Sequence, residues 1–193
     1  KCFGGHYPHL ALSGWMRSGK DSIANFLRPK GYYKGSFAFA LKEEVARAAG
    51  VPVEAMSEEP LRTQIRPVLQ AWGTEFRRAQ DPDYWVKKVQ RYFEVENRVE
   101  RRPLVFTDCR FLNELKLLKS FDFITIKVDM KREDVEAYLM KQGKGHDEIQ
   151  KLLGHPSEQE WQDYDFDCTV RSVMGDLEGL YAQVMSIIET RQA

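Results

Sequence analysis

The sequence predicts an α/β fold, a central parallel sheet flanked by helices, and three observations carry that expectation. Strand and helix signals alternate along the chain, which implies right-handed strand–helix–strand crossovers. Leu104-Val105-Phe106-Thr107 is a continuous apolar run, as a strand buried on both faces requires. A glycine-rich loop, Gly14 to Lys20, stands directly between a strand signal and a helix signal.

Taken in order, His9 to Ser13 reads as a short apolar strand running into that loop. From Asp21 to Leu27 the spacing is helical, with Ile23, Phe26 and Leu27 on one face. Tyr32 to Ala38 reads as a second strand, and Leu41 to Ala49 as a helix that Gly50-Val51-Pro52 ends. The stretch from Pro60 to about Val99 reads as helical, rich in Arg and aromatic residues, and divided by Pro67 and Asp81-Pro82. The apolar run at Leu104 is the third strand, Asn113 to Lys119 a helix, and Phe123 to Val128 the fourth strand. Residues 131–163 are strongly charged and carry Gly143, Gly145 and Gly154, the pattern of a lid-like insertion. A strand at Phe166 to Val170 and an amphipathic helix from Leu177 to Ile188 close the chain. A length of 193 residues suits one domain over 1–193, with a helical region at about 50–100 and the insertion at about 131–163.

Composition narrows the function. Lys plus Arg and Asp plus Glu both number 29, and a chain without a basic excess is not expected to bind nucleic acid. Cys2, Cys109 and Cys168 are odd in number and far apart, so neither a disulfide framework nor a zinc site is expected, and a reducing cytoplasm is the natural setting. No apolar run approaches the roughly 20 residues that span a bilayer, so no membrane partner is expected. Lys1 to His6 has no apolar signal core and no initiator Met, so a processed or missing N-terminus is expected. His146 and His155 lack a second ligand pair and predict no metal site.

The loop satisfies the spacing G-x-x-x-x-G-K through Gly14, Gly19 and Lys20, in the strand–loop–helix context that pattern needs. Its glycines let the backbone N–H groups of residues such as Arg17 and Ser18 curl around phosphate oxygens, and the helix adds its positive end. Lys20 is expected to meet the β- and γ-phosphates of a nucleoside triphosphate. The residue after it is Asp21, where a hydroxyl is usual. Ser22 is therefore the expected hydroxyl ligand for phosphate or Mg²⁺, with Asp21 at the phosphate site as a helix cap. Asp108 follows the third strand, where open parallel sheets gather their ligands, and is a candidate for holding Mg²⁺ or orienting the attacking oxygen. Arg110 suits a transferring phosphoryl group, and Arg132, beside Lys131 in the charged stretch, is a candidate lid cation. In the middle region, Arg62, Arg66, Arg77 and Arg78 lie among Gln70, Trp72 and Tyr84, offering cations for an acceptor phosphate and amide or aromatic groups for a base.

Three blocks together resemble the bacteriophage deoxynucleoside monophosphate kinases: GWMRSGKDS over Gly14 to Ser22; Trp72-Gly73-Thr74-Glu75 with Asp81-Pro82-Asp83-Tyr84-Trp85-Val86; and Thr107-Asp108-Cys109-Arg110-Phe111-Leu112-Asn113-Glu114. His155-Pro156-Ser157-Glu158 is also similar to that family, and the resemblance runs from about Leu10 to Ile188. It implies a P-loop kinase fold with a helical acceptor-binding region and a lid. It also implies transfer of the γ-phosphoryl of ATP, with Mg²⁺, to a deoxynucleoside monophosphate, in the host cytoplasm if the chain is phage-encoded. By motif, Lys20 and Ser22 hold the donor phosphates, Asp108 and Arg110 serve the reaction centre, and Arg66, Gln70 and Thr74 lie near the acceptor, with Lys42 and Trp72 as further candidate acceptor contacts. The chain departs from the family at Phe39-Ala40-Leu41-Lys42, which lacks an Asp-Pro, and at Leu112, which replaces a Pro. Another P-loop small-molecule kinase, resembling dephospho-CoA kinase, and a nucleotide-binding module without kinase activity are the alternatives. The helical middle also offers a surface for a homodimer.

Overall fold

A computed structural model describes residues 7–95 and 102–191, and the side chains of residues 62, 63, 66 and 95 lie outside that description. The chain forms two compact units, Lys1–Gly35 with Arg102–Ala193, and Ser36–Arg101.

The first unit is built on five parallel strands, β1 (Leu10–Ser13), β2 (Tyr33–Gly35), β3 (Leu104–Phe106), β4 (Ile124–Asp129) and β5 (Cys168–Arg171), in the order β2-β3-β1-β4-β5. Strands β1 and β3 are buried along their whole length, as their unbroken apolar sequences predict. The chain leaves β1 toward β2 and later crosses from β3 to β4 on the other side, so the strand order reverses beside β1. Ligand crevices open at such a reversal. Helix α1 (Lys20–Leu27) contributes Ile23 and Leu27 to a core shared with Leu10, Leu12, Ile126 and Val128. The last helix, α9 (Leu177–Thr190), adds Leu180, Val184 and Ile188 at intervals of four, which places them on one face. All three are fully or almost fully buried, and each such side chain contributes roughly 1.5–3 kcal/mol.

Helices α5 (Leu112–Ser120), α6 (Arg132–Lys141), α7 (His146–Leu153) and the short α8 (Pro156–Gln159) complete this unit. The charged stretch 131–163 folds as the last three of these and a 3-10 helix over Glu160–Asp163, and buries Val135, Leu139, Ile149, Leu153 and Trp161.

The second unit is helical: α2 (Phe37–Ala49), α3 (Leu61–Gln70), which continues as a π-helical segment over Ala71–Arg78, and α4 (Tyr84–Val95). Its core joins Val45, Ala46, Met56 and Ile65 to Leu41, Leu69 and Trp72.

Two differences from the sequence reading have a clear physical cause. The second strand stops at Gly35, and Phe37 and Ala38, read as its end, instead open helix α2. Alternating Phe and Ala satisfies either period, but Phe37, Leu41 and Val45 recur every four residues, and two of them are buried. Pro67 also fails to divide the middle region, since α3 runs through it on an exposed side and widens into the π segment four residues later. Asp81-Pro82 does separate two helices, with Asp81 accepting the Asp83 N–H at 3.1 Å.

Candidate phosphate site

The loop between β1 and α1 needs glycine for two separate reasons. Gly14 has φ 151°, and a Cβ there would lie 2.4 Å from the Val128 carbonyl oxygen of β4. Gly19 has φ 94°, and a Cβ there would lie 2.8 Å from Leu180 of α9. Between them Arg17 adopts φ 67°, a left-handed conformation that a non-glycine residue holds only when its surroundings enforce it. The result is a tight arch against the carboxyl ends of β1 and β4. Helix α1 begins at its end, so the first-turn N–H groups of Lys20, Asp21 and Ser22 have no partner within the helix.

Lys20 lies almost wholly buried under the arch, and its Nζ donates to the Gly14 carbonyl at 2.8 Å, the Trp15 carbonyl at 2.6 Å and Ser18 Oγ at 3.3 Å. Burial first, and the neighbouring Arg110 charge second, push its ammonium down to about 8. Glu158, Asp21 and Cys109 act in the opposite sense. A desolvated cation held only by neutral carbonyls and a hydroxyl is suited to exchange them for phosphate oxygens.

The turn after β3 abuts the loop. Ser13 Oγ donates to the Cys109 carbonyl at 2.6 Å, and Thr107 Oγ1 donates to Asp21 Oδ1 at 2.9 Å. Asp108 and Arg110 thus stand where β1, β3 and the first turn of α1 converge. Glu114 accepts the Arg110 and Phe111 N–H groups at 2.8 and 3.2 Å and fixes the turn. Burial pushes the Cys109 thiol well above its ordinary range, so it stays protonated.

Asp21 behaves differently from the sequence expectation. Gly19 is the residue that opens α1, and it has no side-chain cap. The Asp21 carboxylate instead reaches Lys34 of β2 at 2.7 Å as well as Thr107, joining α1 to two strand ends. Its side chain is engaged away from the arch, which leaves Asp21 only its backbone N–H to offer an anion there.

Arg132 does come to the loop. Its guanidinium lies over the Trp15 ring at 5.8 Å, held by Glu136 at 2.8 Å and Gln150 at 2.7 Å, while Arg17 reaches the Tyr138 ring of α6 at 5.4 Å. Trp15 in turn meets Trp161 edge-on at 5.6 Å.

One participant was not among the expected site residues, although its block, His155-Pro156-Ser157-Glu158, carries part of the family resemblance. Glu158 of α8, only 2% exposed, accepts the Met16 N–H of the loop at 2.9 Å and pairs with Arg110. Its 142-residue separation from Met16 left no local signal.

Lys42, Gln70, Trp72 and Thr74 belong to the second unit. Lys42 donates to Ser57 at 3.1 Å. Arg66 is carried by α3, and its side chain lies outside the described residues. Trp72 is committed to the unit's own architecture: its indole N–H donates to Glu44 at 3.0 Å. Glu44 also accepts from Arg77 at 2.6 Å, Tyr84 at 2.6 Å and Lys88 at 2.8 Å. Arg77 in addition lies over the rings of Trp72, Phe76 and Tyr84. Burial alone would raise the Glu44 carboxyl, but these four donors hold it down at about 2. Among the described residues no cluster of His, Cys, Asp and Glu is arranged to hold a metal, and no helix is long and apolar enough to cross a membrane.

No family model and no curated protein matches the chain. Among solved structures it is similar over 97% of its length to the whole of a Thermus thermophilus protein, TT1252, with a TM-score of 0.58 and 19% identity, which shows the α/β fold. It is also similar, at a TM-score of 0.48 and 16% identity, to shikimate kinase from Aquifex aeolicus, covering 95% of this chain and 97% of that one. Gluconokinase from Sinorhizobium meliloti gives a TM-score of 0.48 and 15% identity, with 97% of each chain covered.

Proposed function

We propose that this protein transfers the γ-phosphoryl group of ATP to a small acceptor, a deoxynucleoside 5′-monophosphate, giving ADP and a deoxynucleoside diphosphate. The observation that carries the reading is the buried Lys20 ammonium beneath a left-handed arch whose glycines admit no side chain. Such an arch fits the phosphates of a nucleotide, since it offers backbone N–H groups, a helix N-terminus and one desolvated cation. The deoxynucleotide acceptor rests on the sequence resemblance.

In this reading Lys20 exchanges the Gly14 and Trp15 carbonyls for β- and γ-phosphate oxygens. Arg110 faces the transferring group, and Arg132 adds positive charge from the Trp15 side. Asp108 orients the attacking phosphate oxygen. Ser22 and Asp108 are the residues that would hold Mg²⁺, which offsets phosphate charge when bound. Catalysis of this kind is mostly positioning and charge neutralisation. Lys42, Arg66, Gln70 and Thr74 are the proposed acceptor contacts, with Trp72 supporting them through Glu44.

A coupled ADP-release assay with ATP, Mg²⁺ and each common dNMP tests the proposal. Acceptor-dependent turnover with at least one dNMP supports it. Turnover only with other small hydroxyl or phosphate acceptors would favour the alternative of a different small-molecule kinase. ATP binding without any acceptor-dependent turnover would leave a nucleotide-binding module.

A further inference from the structure

We infer that Glu158 is a positioning residue for the phosphate site: its buried carboxylate ties the Met16 N–H of the loop to the Arg110 guanidinium and so holds Arg110 at the arch. The inference rests on the proposed function only for the role of Arg110 toward a phosphoryl group.

The geometry divides the work between two carboxylates. Glu114 already satisfies the backbone N–H groups of Arg110 and Phe111, so the turn after β3 keeps its shape without Glu158. What Glu158 fixes is the Arg110 side chain, 40% exposed, through one oxygen, and the loop through the other. A carboxylate only 2% exposed is costly to bury unless its charge and its oxygens find partners, and here both oxygens do. The element that delivers it is braced on several sides. His155 caps α8 by accepting the Ser157 N–H, and Ser157 Oγ stands 3.4 Å from the Arg110 guanidinium. Gln162 donates to the Glu158 carbonyl at 2.9 Å, and the neighbouring Trp161 is locked edge-on against Trp15. A guanidinium held from a rigid, buried anchor is preorganised, whereas a free arginine at this exposure samples many rotamers.

The test compares wild type, Glu158→Gln and Glu158→Asp by two readouts. The glutamine keeps an oxygen for the Met16 N–H but loses the ion pair. Steady-state kinetics with ATP and the accepted dNMP should show kcat lowered by about tenfold or more, with KM for ATP changed less than about threefold. Glu158→Asp, which keeps the charge on a shorter arm, should recover part of kcat. An Arg110→Gln/Glu158→Gln double variant should be no slower than Arg110→Gln alone, because the two act as a unit. The second readout needs no acceptor: NMR relaxation of the Arg110 guanidinium in the ligand-free protein, which should be rigid in wild type and mobile in Glu158→Gln. Glutamine kinetics within about twofold of wild type, additive losses in the double variant, or an Arg110 guanidinium equally rigid in Glu158→Gln would each overturn the inference. Should Glu158→Gln not fold, the double-variant comparison is made with Glu158→Asp. Wild type that turns over no dNMP overturns the proposed function instead, and the NMR comparison still decides the role of Glu158.

Discussion

Replacing Lys20 with Met should make the ligand-free protein more stable at neutral pH while removing its affinity for nucleotide. The ammonium falls from 10.5 in an exposed lysine to about 8 in the folded chain because burial disfavours its charge. Each unit corresponds to 1.36 kcal/mol, so holding the charged form in the fold costs about 3 kcal/mol. Methionine of similar length leaves the Gly14 and Trp15 carbonyls and Ser18 Oγ without that donor, which reduces the gain to at most about 2 kcal/mol. The pH dependence separates this cause from others. Since the folded value lies below the unfolded one, the unfolded chain holds more protons between about 8 and 10.5, and wild-type stability rises across that window. The penalty is fully present below about pH 8, so the variant's advantage should shrink as pH climbs from 8 toward 10.5. Urea unfolding at pH 7 and pH 10, without nucleotide, reads both values. A variant less stable than wild type at pH 7, or an advantage that does not change with pH, would refute the reasoning.

Asp108→Asn should bind ATP within a few-fold of wild type but lose at least about a hundredfold in kcat, checked by titration and steady-state rates; near-normal turnover would make Asp108 structural. Gly14→Ala forces a Cβ to 2.4 Å from the Val128 carbonyl oxygen, so it should displace the loop, cost about 2–4 kcal/mol in urea unfolding and weaken ATP binding by more than tenfold. Glu44→Gln removes the anion that four donors share in the second unit and should destabilise by about 1–3 kcal/mol in thermal or urea unfolding. Because that carboxyl is held at about 2, the wild-type contribution should stay constant from neutral pH down to about 4.5 and fade only as pH falls toward 2.

The parts of the fold that were legible are those with a local cause. The loop announces itself through Gly14, Gly19 and Lys20 because the steric demand lies at those residues. The apolar run at Leu104 announces a strand because both faces of β3 are buried. The position of Asp108 and Arg110 beside the loop was legible because they follow the apolar run that becomes β3. Failures came where a distant partner decides. Phe37 to Ala40 fits a strand or a helix until Leu41 and Val45 supply the face it shares. Asp21 looked like a cap, but Lys34 and Thr107, the latter 86 residues away, draw its carboxylate sideways. Glu158 stands in a block that resembles the family, but nothing local shows that its carboxylate is buried. Its burial against Met16 and Arg110 exists only after the sheet has brought 142 residues of separation to 2.9 Å.

The central claim is that a phosphoryl group leaves ATP for a deoxynucleoside monophosphate at the Lys20 arch. The most direct measurement incubates the protein with γ-labelled ATP, Mg²⁺ and a panel of dNMPs and NMPs, and follows the label by chromatography. The account predicts label in the β-position of at least one deoxynucleoside diphosphate, and none when Lys20→Met replaces the wild type. Label remaining in ATP, or appearing only as inorganic phosphate whatever acceptor is present, would contradict it.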